Sequence, residues 1–175
     1  GTREQRDEWS KYDDQVEITD FDFLFAEPDA PVEQRIDLPE GFVSLASRTP
    51  PEGAQTALRY LTKRGVTKGD ILKWKIGFCK DGEYAGRVVI PSFNENGYAN
   101  YYVARSYGSE WPKYKNPPAS RDIIFNELYV NWNEDLVIVE GVFDAIKAGN
   151  GIPLLGSTLR EGSALFQAIV KNGNR

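Results

Sequence analysis

The chain has 175 residues, 41% of them hydrophobic and 13% aromatic, enough for one ordinary domain or two small ones and too apolar for wholesale disorder. A single cysteine excludes an internal disulfide and a cysteine-built zinc site, and the lack of any histidine removes Ser-His and Cys-His nucleophile systems, leaving carboxylates, lysines, arginines, hydroxyls and bound metal. The net charge of −5 hides three blocks, −9 over residues 1–40, +7 over 41–121 and −3 over 122–175, so the total does not exclude a polyanionic partner for the basic middle. No methionine occurs, even at position 1, which suggests a piece of a longer protein. No apolar run approaches the length of a membrane span and no apolar leader is present, so a soluble, unexported chain is expected.

Residues 1–50 read as an acidic extension whose stretch Phe21, Phe23, Leu24 and Phe25 would dock onto the body or bind a partner. Pro50-Pro51-Glu52-Gly53 punctuates the next step. Ala54, Ala57, Leu58 and Leu61 mark one face of a helix that Gly65 closes, and Thr67 is placed to cap a second short helix through Ile71, Leu72 and Trp74. Strands then follow at 76–79, 87–91 and 98–107, separated by Asp81-Gly82 and Asn94-Glu95-Asn96-Gly97. They predict an antiparallel meander. Residues 109–121 are irregular and polar. The tail alternates strand 136–140, helix 142–148, strand 152–156 and helix 162–171, the pattern of a parallel βαβ unit. Gly149 and Gly151 read as turn glycines after a helix.

Two groups of residues invite chemistry. The apolar run Leu136–Val139, read as a buried strand, stops at Glu140-Gly141, and Asp144 follows four residues after Glu140. A carboxylate at the C-terminal end of a buried strand must keep water, a cation or a donor as partner, and that edge is where open α/β sheets bind ligands. Capping of the next helix or neutralisation of a lysine is the ordinary alternative use of Glu140. The second group is Gly86-Arg87, Arg105, Pro112-Lys113-Tyr114-Lys115-Asn116 and Arg121 in the basic block, a combination suited to phosphate contacts and base stacking or to a merely solvated face. Gly156-Ser157-Thr158 reads either as an anion cradle or as a strand-to-helix turn. The absence of a G-x-x-x-x-G-K-[ST] motif excludes a classical phosphate-binding loop.

Taken in order, these pieces resemble the catalytic core of DnaG-type DNA primases of bacteria and bacteriophages. The carrying residues are Arg59–Val66 with Ile71-Leu72 and Lys75-Ile76-Gly77, Gly86–Pro91, Asn96-Gly97, Arg105, Pro112–Pro117, Phe125 with Leu128-Tyr129, Val139-Glu140-Gly141 with Asp144, and Gly156-Ser157. They span roughly residues 54–171. The resemblance implies an α/β fold: an α+β subdomain with the meander over 51–130, then a partial parallel βαβ unit of TOPRIM type over 131–175. It implies synthesis of short RNA primers on single-stranded DNA from ribonucleoside triphosphates, with Mg²⁺ or Mn²⁺, in the cytoplasm of a bacterial cell. A replicative helicase is left open as a partner, and no membrane is involved. It makes Glu140 a metal-binding or proton-handling acid supported by Asp144, and Arg87, Arg105, Lys113, Tyr114 and Asn116 a ridge for template or nucleotide phosphates.

The sequence departs from that family in three ways. Asn126-Glu127 stands where a second basic residue is expected, the remaining TOPRIM acids are expected beyond residue 175, and the family's zinc ribbon is missing. The 175 residues alone are therefore expected to make no primer. Two other classes fit part of the pattern: a TOPRIM protein of topoisomerase, nuclease or recombination type, and a non-catalytic module binding single-stranded nucleic acid.

Overall fold

A computed structural model describes residues 32–173. The chain divides after Glu33, and the unit from Gln34 onward holds every element below. The phenylalanines at 21, 23 and 25 lie outside the described residues.

A four-stranded antiparallel sheet, in the order β1-β2-β3-β4, comprises β1 (Phe42–Ser44), β2 (Gly77–Cys79), β3 (Arg87–Phe93) and β4 (Ala99–Ser106). The alternation of β3 and β4 sends side chains to two cores. Val88, Ile90, Tyr101 and Val103 join Phe78 and Leu61 in the larger one, whereas Val89, Tyr102, Ala104 and Cys79 face Tyr84, Ile36, Leu38 and Phe42 on the other side. Pro91 is tolerated inside β3 because β2 pairs only with Arg87–Val89, so no ladder bond is lost on that side.

Three helices lie in the larger core. The first, α1 (Gln55–Lys63), buries Ala57 and Leu61. It ends as expected: Gly65 takes φ +78°, the Val66 amide donates to the Leu61 carbonyl and the Gly65 amide to that of Thr62. Helix α2 (Lys68–Trp74) starts with a reciprocal capping box, the Asp70 amide on Thr67 Oγ1 at 3.1 Å and the Thr67 amide on Asp70 Oδ2 at 2.9 Å. Trp74 then stacks on Phe125, with ring centroids 6.4 Å apart. Helix α3 (Val142–Lys147) buries Val142, Phe143, Ala145 and Ile146 in the same core. It connects β5 (Val137–Val139) to β6 (Gly151–Pro153), which pair in parallel. Helix α4 (Ala164–Gly173) closes a smaller core of Ile124, Ile152 and Leu165.

Four features differ from expectation. Residues 34–50 are not only an extension: they supply β1 and the core residue Leu45, and the Ile36 amide bonds the Ala99 carbonyl at 2.8 Å. The larger core takes residues from both sides of the 130/131 boundary, so the core itself does not stop there. Strand β5 is not buried, with Val137 41% and Ile138 37% exposed, because β6 is its only neighbour among the described strands. Gly151 belongs to β6, where a Cβ would lie 2.6 Å from the Ala145 carbonyl oxygen. It is there for the close approach of α3 and not for a turn.

Candidate functional site

The docking of α3 decides where the acids go. Its apolar face is fixed in the core against α1, with the Phe143 ring edge-on to Tyr60 at 6.2 Å. Glu140, just before the helix, and Asp144, on its exposed side, are thereby held toward β4 and the basic loop. Both carboxylates line one groove of about 430 Å³, together with Tyr114, Asn116, Val103, Leu155 and Gly156. Four residues singled out in two distant stretches of sequence thus share one cleft.

Neither ordinary use of Glu140 is realised. Gly141, not Glu140, is the N-cap of α3, and the Glu140 and Asp144 carboxylates form no ion pair or hydrogen bond among the described residues. Both are exposed at the mouth of the groove. Two hard carboxylate oxygen donors open to solvent are the donor set that Mg²⁺ accepts when phosphates and water complete its shell. No cluster of three or more His, Cys, Asp or Glu exists among the described residues to make a closed cage.

The basic loop forms the opposite wall. Its backbone continues the sheet beyond β4: Ser106 donates to the Lys113 carbonyl at 2.9 Å, Lys115 to that of Ala104 at 2.9 Å, and Arg105 and Tyr114 form a bridge. The Arg105 guanidinium carbon lies 4.9 Å from the centroid of the Tyr114 ring. Three buried side-chain atoms lack a hydrogen-bond partner among the described residues, and two of them, Arg105 Nε and Asn116 Oδ1, belong to expected site residues. A buried unpaired group is costly, and a bound polar ligand or water relieves that cost. Behind the groove, burial pushes the Tyr101 hydroxyl above its ordinary pKa, offset in part by the Arg121 charge and by a hydrogen bond from Asn116. Lys113 is exposed and has no ion-pair partner among the described residues, whereas Lys115 is engaged with Glu83 at 3.1 Å.

Arg87 departs from the ridge. It is 3% exposed, and its Nη1 donates to the Lys113 carbonyl at 3.4 Å. Asn126, standing where a basic residue was expected, is a buried joint. It adopts φ +55°, its amide donates to Ser92 Oγ at 2.8 Å, and its Oδ1 accepts from the Phe93 amide at 2.9 Å. A lysine or arginine there would bring an unpaired charge into the core.

Sequence reasoning did not find Val103 and Leu155 as groove walls, whereas Gly156, already marked as part of a candidate anion cradle, does line the groove. Leu155 and Gly156 take φ of +57° and +78°, and Arg121 Nη1 donates to the Leu155 carbonyl at 3.1 Å. Leucine carries no signal for that conformation, so only the adjacent glycine marked the turn. The Gly156-Ser157 segment closes as a turn, the Ser157 amide bonding the Leu154 carbonyl at 3.0 Å.

The fold, an antiparallel sheet backed by helices and followed by a parallel β-α-β unit, is that of the DnaG primase catalytic core. A DnaG primase catalytic domain bound to single-stranded DNA superposes with a TM-score of 0.57 at 18% identity, covering 70% of this chain and 54% of that one. The Aquifex aeolicus primase, comprising zinc-binding and RNA polymerase domains, superposes with a TM-score of 0.57 at 20% identity over 71% of this chain and 41% of the other. In sequence, the chain is 27% identical to the DNA primase of Thermotoga maritima over an alignment 141 positions long that covers 70% of this chain and 25% of that protein. The resemblance to DnaG-type primases read from the sequence is upheld in fold and in sequence. The chain spans about a quarter of the length of that curated relative and about half of the first solved structure. No protein-family profile matches it.

Proposed function

We propose that the chain is part of a DnaG-type primase that synthesises short RNA primers on single-stranded DNA from ribonucleoside triphosphates during replication in a bacterial cell, of bacterial or bacteriophage origin. Residues 51–130 would be its N-terminal core subdomain and 131–175 the opening of its TOPRIM unit. The carrying observation is the shared groove, in which Tyr114 and Asn116 of the basic loop face Glu140 and Asp144.

In this reading Glu140, supported by Asp144, would hold Mg²⁺ or Mn²⁺. The ion would offset phosphate charge as the phosphoryl group transfers. Lys113 contacts a backbone phosphate, Tyr114 offers its ring to a base with Arg105 behind it, and Asn116 uses its unpaired oxygen on a base or sugar donor. Arg87 acts indirectly, by fixing the carbonyl of Lys113 and with it the reach of that side chain.

Primer synthesis by the longer protein on a single-stranded template, with Glu140→Gln beside the parent, tests this. The variant should keep DNA binding and lose incorporation of ribonucleotides. Undiminished incorporation contradicts the role of Glu140, and DNA cleavage without incorporation would move the protein to the nuclease or topoisomerase class.

A further inference from the structure

We infer that Trp111 is a stacking platform for a base of the single strand, a second aromatic contact beyond Tyr114 on the same loop; the inference rests on the nucleic-acid reading above. Trp111 is 87% exposed, about twice the exposure of Tyr98, Tyr114 or Tyr129, the other exposed aromatics among the described residues. Among the described residues it has no hydrogen bond and no ring partner. Packing therefore does not explain an indole there, and water is a poor environment for it.

The loop that carries Trp111 is held from both sides. After it, the Lys113 carbonyl accepts from the Ser106 amide and from Arg87. Before it, the Glu110 side chain lies so close to Gly86 that a Cβ on the glycine would come within 2.7 Å of Glu110 Cγ, and the Gly86 carbonyl accepts from the Tyr107 amide at 3.0 Å. Pro112 restricts the backbone directly after it. An aromatic ring on a restrained loop loses little entropy when a flat partner covers it.

Its surroundings choose the partner. Gly108, Ser109, Glu110, Pro112 and Lys113 are all exposed, so Trp111 stands alone and is not the centre of an apolar patch of the kind that marks a protein interface. Lys113 is two residues away and Tyr114 three, which keeps the Tyr114 Cα within about 11 Å of that of Trp111. A partner with flat apolar faces spaced along an anionic backbone fits that set, and single-stranded DNA has that form.

The test is fluorescence anisotropy of a labelled single-stranded DNA with the 175-residue chain, using Trp111→Ala, Trp111→Phe and Lys113→Ala, and a second strand of equal length built from abasic sites. Trp111→Ala should weaken binding about tenfold with no change in salt dependence, the loss of one stacked base. Trp111→Phe should recover most of it, and on the abasic strand parent and Trp111→Ala should bind alike. Equal affinity of parent and Trp111→Ala for the normal strand, or an equal loss on the abasic one, overturns the inference. So does a change in sedimentation without a change in DNA affinity, which would assign Trp111 to self-association. If Lys113→Ala weakens binding and Trp111→Ala does not, the nucleic-acid reading stands and Trp111 falls. If neither does, both fall.

Discussion

Gly151→Ala connects packing to the site, because one added methyl group meets the backbone that carries Asp144. A Cβ at Gly151 would lie 2.6 Å from the Ala145 carbonyl oxygen, 2.9 Å from its Cα and 3.1 Å from its carbonyl carbon. All three are backbone atoms, so no flexible side chain can yield. Either β6 or α3 must shift. Overpacking of this kind typically costs about 1–3 kcal/mol, and the backbone contact argues for the upper half, about 2–3 kcal/mol. For a chain of this size that is a fall in Tm of roughly 4–12 °C, readable by circular dichroism. Gly149→Ala is the control, since a Cβ there meets nothing within 4 Å. It should melt within about 2 °C of the parent. An unchanged Tm for Gly151→Ala would refute the close seating of α3 on β6, and with it the reason Glu140 and Asp144 face the basic loop.

Two further outcomes are expected. Ser92, fully buried, donates to Asn100 Oδ1 at 2.6 Å and accepts from the Asn126 amide at 2.8 Å. Ser92→Ala therefore orphans two buried groups, costing about 2–4 kcal/mol, whereas Ser109→Ala on the surface should be neutral; equal melting of the two contradicts the buried joint. Burial, then the nearby Glu95 charge, pushes the Glu127 carboxyl above its ordinary pKa, with Lys171 opposing. Its ionisation thus opposes folding: the favourable contribution is complete below the unfolded pKa near about 4.3 and is lost as pH rises through the higher folded value. Glu127→Gln should raise Tm at pH 7 and give no advantage below about pH 4, and a lower Tm at pH 7 would contradict that sign.

Much of this was legible in the chain because local chemistry decided it. Gly65 ended α1 and Thr67 began α2 through bonds made within a few residues. Glu140 and Asp144 stood out because an acid directly after an apolar run has few structural uses. Features set by distant partners were not legible. Strand β1 is three residues with no readable period, and it fits against β2 only because Gly77 leaves room, since a Cβ there would lie 2.3 Å from the Phe42 ring. The burial of Arg87 and the joint at Asn126 depend on the loop and strand folded over them. The meeting of Tyr114 and Asn116 with Glu140 depends on which face of α3 is buried against α1, a tertiary choice.

The most direct test of the groove as a nucleic-acid site is the salt dependence of single-stranded DNA binding by the 175-residue chain, parent against Lys113→Ala. Lys113 is exposed and has no ion-pair partner among the described residues, so its loss should leave Tm unchanged. Affinity should fall, and the slope of log affinity against log salt should flatten by about 0.7, the release expected for one phosphate contact on a single strand. Identical affinity and slope in the two proteins would mean that the basic loop is a solvated face and that the groove beside Glu140 does not hold the strand.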